Sequence, residues 1–171
     1  MIAVVGHRDL TEWTLGRIEE ELRTRLARFA EAGSTGLVRV GQGLPVAAGR
    51  AARKAGLALM TVLPDGGRLP ALSRPGGARA AGELLLLSQR VRWEEYDPAD
   101  RDACVRLDER LLRGCARVLA VWDGSPSDGR DATAHLVAFA RSLGIEVEVL
   151  WPDGAERTAG ATPSAAARAV P

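Results

Sequence analysis

Two kinds of hydrophobic pattern alternate along the chain. Residues 2–5 are a short, unbroken apolar run, as in a strand buried on both faces of a parallel sheet. Gly6 ends it. Leu15, Ile18, Leu22, Leu26 and Phe29 then recur every three or four residues, which places them on one face of a helix. Thr11 suits its N-cap, Glu19–Arg23 and Glu21–Arg25 are i,i+4 pairs on the wet side, and Gly33 is a stop signal. Residues 37–40 predict a second strand, interrupted by Arg39. A Gly41-Gln42-Gly43 turn and Pro45 at a first helical position lead into an alanine-rich helix that ends near Ala55 and can lie close to a sheet. Residues 57–63 form the third strand.

The second half repeats the alternation. Residues 64–77 carry no pattern and predict a long loop. A helix over 78–88 and a short strand over 91–93 follow. Asp97 and Pro98 suit the cap and first position of the next helix, whose stripe is Cys104, Leu107 or Asp108, Leu111 and Cys115. Residues 118–122 predict a strand, 131–143 a helix, and 145–151 a last strand. Glu146 and Glu148 share one face of that strand, as at a sheet edge. The prediction is an α/β, Rossmann-like three-layer sandwich: a mostly parallel sheet of five or six strands with right-handed crossovers. Residues 1–151 form the domain. Residues 152–171, rich in Ala, Gly, Thr, Pro and Arg, predict a disordered C-terminal tail.

Composition changes this picture little. A chain of 171 residues, 46% apolar and 26% charged, suits a single soluble domain. Its net charge of +1 gives no reason to expect a membrane or nucleic acid as partner. Lys54 is the only lysine among 23 basic residues, a bias that fits a GC-rich genome, so phosphate recognition by arginine has to be argued site by site. Cys104 and Cys115 sit roughly 16 Å apart along one predicted helix, too far for a disulfide. They read as core thiols in a reducing compartment. No cluster has zinc spacing, and neither a metal nor a cofactor is expected. No signal-peptide pattern opens the chain and no apolar run can span a bilayer, so the expected location is cytoplasmic.

Candidate chemistry gathers at two turns that follow strands, where ligands bind in open α/β sheets. The first is Gly6-His7-Arg8-Asp9. Gly6 lets backbone approach a ligand, Arg8 could grip a phosphate, and His7 could orient a ribose or act as acid or base. A bare surface turn in which Arg8 pairs with Asp9 is the plainer alternative. The second turn is Trp122-Asp123-Gly124, running on through Gly129 to Thr133. Asp123 could accept ribose hydroxyls, Trp122 could stack on a base or simply pack, and Thr133 could bond a phosphate or its own helix. Asp131 is a good cap that would repel an anion there. Gly41 and Gly43 could line a phosphate or form a plain turn. Glu94, Glu95 and Asp97 read as a solvated helix start, and His135 as a surface or packing residue.

The stretches Val4-Val5-Gly6-His7-Arg8-Asp9-Leu10, the segment from Val91 to Cys115 with Tyr96-Asp97, and Leu119-Ala120-Val121-Trp122-Asp123-Gly124 continuing to Thr133 and Trp151-Pro152 resemble the SLOG superfamily. This Rossmann-like group includes the LOG phosphoribohydrolases, molybdenum-cofactor carriers and the core of DNA-processing protein A. The resemblance implies a nucleotide or nucleotide-derived ligand held at the strand ends by Gly6, His7, Arg8, Asp123, Gly124, Gly129 and Thr133. Two departures stand out: Gly129-Arg130-Asp131-Ala132-Thr133 replaces a "GxGGT" pattern, and Leu44-Pro45-Val46 replaces a "GAD". The catalytic "PGGxGTxxE" motif of the LOG enzymes is absent.

The leading expectation is a sensor or carrier that binds a nucleotide-like small molecule. An N-glycosidic or phosphoribosyl hydrolase using Asp123, Asp9 or Glu94 is the alternative, and a ligand-free interaction scaffold is a third. Nucleic acid is disfavoured as a partner because the charge is balanced and no basic-aromatic groove is visible. A homodimer is left open.

Overall fold

The computed structural model describes residues 1–30, 33–65 and 75–158. Its elements run β1 (Ile2–Gly6), α1 (Glu12–Ala27), β2 (Thr35–Arg39), α2 (Leu44–Lys54), β3 (Ala58–Pro64), α3 (Pro75–Leu87), β4 (Arg90–Glu94), α4 (Arg101–Leu112), β5 (Arg117–Val121), α5 (Thr133–Ser142) and β6 (Glu146–Leu150). The six strands lie in the order β4-β3-β2-β1-β5-β6, and every neighbouring pair is parallel.

The chain winds outward from β1 to β4, laying α1, α2 and α3 on one face. It then crosses back through α4 to β5 and continues to β6, laying α4 and α5 on the other. Strand residues alternate between two cores. Ile2, Val38, Leu59, Leu63, Leu119 and Val121 meet Ile18, Leu22, Leu26, Ala48 and Leu84. Ala3, Leu37, Val62, Val118 and Ala120 meet Cys104, Leu107, Leu111, Leu136 and Val137. The alanines of α2 keep it close to its neighbours: a Cβ added at Gly49 would stand 2.9 Å from Leu84 and 3.2 Å from Leu59. The winding reverses between β1 and β5, and such a switch point opens a crevice beyond the carboxyl ends of the strands.

Two helix starts differ from the sequence expectation by three residues. The α4 helix is capped by Asp100, whose carboxylate accepts from the amides of Asp102 and Ala103. Asp97 instead closes a turn by accepting from Ala99 N–H at 2.9 Å. The α3 helix starts at Pro75, inside the predicted loop, because proline is tolerated in a first helical turn. The rest of that loop, 66–74, lies outside the described residues.

The largest difference is the tail predicted to start at 152. Residues 152–158 lie along the first turn as a strap. Glu156 accepts from Thr11 N–H and the Thr14 hydroxyl, its own amide donates to Thr14 Oγ1, and Leu10 pairs with Arg157 in an antiparallel bridge. Polar and backbone groups hold the strap, so hydrophobic patterning could not reveal it. Residues 159–171 lie outside the described residues. No helix among the described residues is long and apolar enough to cross a membrane.

Candidate functional site

Gly6 is where the ends of β1, β5 and α2 converge. A Cβ there would sit 2.5 Å from the Val121 carbonyl oxygen and 2.7 Å from both Leu44 and the Val121 Cβ, so only glycine fits. His7 follows and donates its amide to Val121 O at 3.1 Å. Its side chain is fully buried. Nδ1 lies 2.8 Å from Asp131 Oδ2 and Nε2 lies 2.8 Å from Asp123 Oδ1. Trp151 packs against the imidazole ring edge-on at 5.7 Å.

A carboxylate on each ring nitrogen favours the imidazolium, which donates from both. Burial alone would lower the His7 pKa, but Asp131 and Asp123 outweigh it and raise it above 6.5. Burial opposes ionisation of Asp131 too. Hydrogen bonds from His7 and from Thr133 nevertheless bring it down to about 2. Asp123 is held well below the ordinary carboxylate range: burial works against its charge, while Ser125 and then His7 stabilise it.

Arg157, from the strap, extends the network. Its Nε sits 3.0 and 3.1 Å from the two oxygens of Asp9, and Nη1 is 3.2 Å from Ser125 Oγ and 3.6 Å from Asp123 Oδ2. A charge-alternating chain, Asp131–His7–Asp123–Arg157–Asp9, thus binds the first turn, the second turn, the start of α5 and the strap together. One ligand atom each from His7, Asp9 and Asp131 lies within 4.8 Å of the others, a spacing a metal ion could use. These groups are already engaged, however, His7 by two carboxylates and Asp9 by Arg157, and the arrangement is that of an ion-pair network.

Beside this network, a cleft of about 330 Å³ opens over the carboxyl ends of β1 and β2 on the α4–α5 side. Four arginines line it: Arg8, Arg39, Arg101 and Arg130. Arg39 is fixed by a fork to Asp108, with Nε–Oδ1 at 2.7 Å and Nη2–Oδ2 at 3.0 Å, and lies over the Tyr96 ring. Burial disfavours its charge but Asp108 more than compensates, so its pKa is raised. Arg101 donates to the carbonyls of Asp128 and Asp131, while its Nε is buried with no hydrogen-bond partner among the described residues. Arg8 and Arg130 are exposed, and their guanidinium groups make no hydrogen bond or ion pair among the described residues.

The two helix starts at the cleft are unequal. At α5, Thr133 N–H is taken by Asp131 and His135 N–H by Ser127 Oγ. At α2, the N-cap is Gly43, held at φ 69°, with no side-chain hydrogen bond to the first turn. The N-terminus of α2 is therefore the end left open to an anion.

Of the residues singled out from sequence, Gly6, His7, Arg8, Gly41 and Thr133 line the cleft. Gly43 lines a second hollow of about 510 Å³ between α1, α2 and α3. Trp122, Asp123, Gly124 and Gly129 line neither. The Trp122 indole N–H donates to Ser125 O at 2.7 Å, folding the ring onto its own turn, and Asp123 faces His7 and the strap. The N-cap of α5 is Ala132 and not Asp131, although the Asp131 carboxylate accepts from Thr133 N–H, and its charge is offset by His7 instead of standing bare toward a ligand. Sequence reasoning missed Arg101, Arg157 and the Arg39–Asp108 pair. Only Arg39 left a trace, as a charge interrupting an apolar strand.

No protein-family model and no curated protein matches this chain in sequence. Solved structures do match in fold. DNA processing protein A from Streptococcus pneumoniae superposes with a TM-score of 0.61 at 17% identity, covering 88% of this chain and 50% of that one. The molybdenum cofactor carrier protein of Chlamydomonas reinhardtii gives 0.54 at 20% identity, covering 86% and 74%. DNA processing protein A from Helicobacter pylori, described for its single-stranded DNA binding mode, gives 0.57 at 10% identity, covering 88% and 65%. The chain thus spans half of the first of these proteins and 65% of the third. The architecture is a Rossmann-like three-layer sandwich. It is the fold these DNA-processing and cofactor-carrier structures share with this chain.

One expectation is corrected by these neighbours. Nucleic acid was disfavoured as a partner on the strength of a balanced net charge. Two of the three neighbours are DNA-processing proteins, one of them known for binding single-stranded DNA, and net charge is no ground for dismissing such a partner. Four arginines gathered at one cleft are a local excess that a chain-wide sum conceals.

Proposed function

We propose that the cleft over β1 and β2 binds a nucleotide or nucleoside-derived ligand, with the protein acting as sensor or carrier. The observation that carries this reading is the pair of unpartnered guanidiniums, Arg8 and Arg130, on the same cleft as the uncapped N-terminus of α2. Two free guanidiniums beside a helix N-terminus suit a phosphate. The fold neighbours include a cofactor carrier, which fits a protein that holds its ligand.

The hydrolase alternative is less well supported. Such chemistry needs an available carboxylate near the scissile bond. Asp123 and Asp9 are tied to His7 and Arg157, and Glu94 to Arg92 and Arg110. The two carboxylates lining the cleft, Asp108 and Asp131, are each held in an ion pair.

A thermal-shift panel of AMP, ADP-ribose, cyclic nucleotides and NAD tests the proposal, followed by calorimetry on any hit. The expected result is stabilisation by at least one ligand, reduced in Arg8→Ala and in Arg130→Ala. No shift at millimolar concentration with any of them overturns it. A second reading, a single-stranded DNA phosphodiester in the same cleft, is favoured by the DNA-processing neighbours. Fluorescence anisotropy with a labelled oligothymidylate separates the two. Salt-sensitive binding of the oligomer without any mononucleotide shift supports the second.

A further inference from the structure

The sheet finishes its two edges differently. At β6, both acidic side chains are engaged, Glu148 by Arg25 and Arg28 of α1 and Glu146 by Arg117. At β4, four of the five residues are exposed and the fifth half-buried. The outer edge of β4 pairs with no strand among the described residues. An edge like this is a template for another strand unless it is blunted.

Its side chains invite pairing. Val91 and Trp93 share one face, aligned with Thr61 and Leu63 of β3, and Leu63 belongs to the core beneath α1, α2 and α3. Val91 and Trp93 therefore continue that apolar face past the last covered strand. In α3, Leu87 turns toward Gly49 of α2, so Leu85, about 160° round the helix from it, turns away from α2 and is exposed. Leu86 is 90% exposed and Trp93 56%. Leu85, Leu86, Val91 and Trp93, all within residues 85–93, are exposed apolar side chains at this edge of the molecule.

The charges on this edge are directional. Arg92 and Glu94 pair on the face opposite Trp93, and Glu94 also reaches Arg110 at 3.4 Å. The Arg90 and Glu95 side chains, at the two ends, have no ion-pair partner among the described residues. The edge is basic where it starts and acidic where it finishes. A second copy running antiparallel complements that pattern, whereas a parallel copy would set like charges together.

We propose that this chain forms a symmetric homodimer through antiparallel pairing of β4 with β4 of a second copy, joining two sheets of six strands into one of twelve. With the two-fold axis at Arg92, Val91 lies opposite the second copy's Trp93 on the apolar face, and Arg90 lies opposite the second copy's Glu94 on the other. The Val91–Trp93 and Arg90–Glu94 contacts each form twice in this register and stabilise an antiparallel ladder, while the two axial Arg92 side chains face one another, each paired with its own Glu94.

The test uses the full chain. Analytical ultracentrifugation at micromolar concentration is expected to show a dimer for the native sequence and a monomer for Trp93→Lys, with an unchanged far-ultraviolet circular dichroism spectrum. A residue on the axis faces itself across roughly 4.5–5.5 Å between Cα atoms, within disulfide reach. Arg92→Cys is therefore expected to oxidise to an intermolecular cross-link, and the native Cys104 and Cys115 are buried and do not compete. A monomeric native chain overturns the proposal. So does a dimer that Trp93→Lys leaves intact, or one in which Arg92→Cys does not cross-link.

Discussion

The carboxyl ends of the strands divide into a closed half and an open half. In the closed half, Asp131, His7, Asp123, Arg157 and Asp9 neutralise one another and join four segments that are distant in sequence. In the open half, Arg8 and Arg130 are unpaired and the first turn of α2 lacks a side-chain cap. Both halves are rich in charge, but only one has charge to spare. A charged residue at a strand end is thus a poor guide to ligand contact by itself. What matters is whether another part of the chain has already answered it.

The sharpest way to break this comparison is to empty the closed half. His7→Ala leaves Asp131 and Asp123 facing a buried space without a counter-charge. Urea denaturation is expected to show a loss of about 3–5 kcal/mol. A loss below about 1 kcal/mol would mean that the network does not hold the turns.

The same half makes stability depend on pH. His7 has a raised folded pKa, so its contribution is complete below 6.5 and is lost as pH climbs through the higher folded value. Asp131 has a depressed one, so its contribution is present above 3.8 and is lost as pH falls toward about 2. The melting temperature should therefore form a plateau between these limits and decline on both sides. In His7→Asn the alkaline decline should flatten; parallel curves for the two proteins above pH 6.5 would assign that decline to other groups.

Gly6→Ala forces a methyl group against the Val121 carbonyl and is expected to cost about 1–3 kcal/mol, read by the same denaturation experiment. Arg157→Ala releases the half-exposed strap, with an expected loss of about 1 kcal/mol and unchanged ligand affinity by calorimetry. The smallest stability effect is expected in the open half. Arg8→Ala and Arg130→Ala should change stability by less than about 0.5 kcal/mol. Each should nevertheless weaken the ligand roughly tenfold, or about 1.4 kcal/mol. Closed-half variants that alter affinity more than stability, or the reverse for these two, would erase the distinction.

Much of the fold was legible in the chain. The strand positions followed from short apolar runs, and α1 and α2 from helical spacing and stop signals, because burial on a sheet face imposes a regular period. The β6 edge was visible in Glu146 and Glu148. The candidate site was legible only in part. Arg8, Gly41 and Thr133 were named and do line the cleft. Asp123 and Trp122 were named as well, but they turn toward their own loop and the strap. Arg101 and Arg157 went unnoticed because an arginine outside any motif carries no mark of where it will land.

The sequence by itself determined the alternation of strand and helix and the parallel, Rossmann-like class, since both depend on neighbours within a few residues. Only the tertiary structure decided which of the charged residues at the strand ends are free. His7 meets Asp131 across 124 positions and Asp123 across 116, and Arg157 meets Asp9 across 148. Such pairings are set by how the strands are ordered and where the strap comes to rest, and no local pattern encodes them.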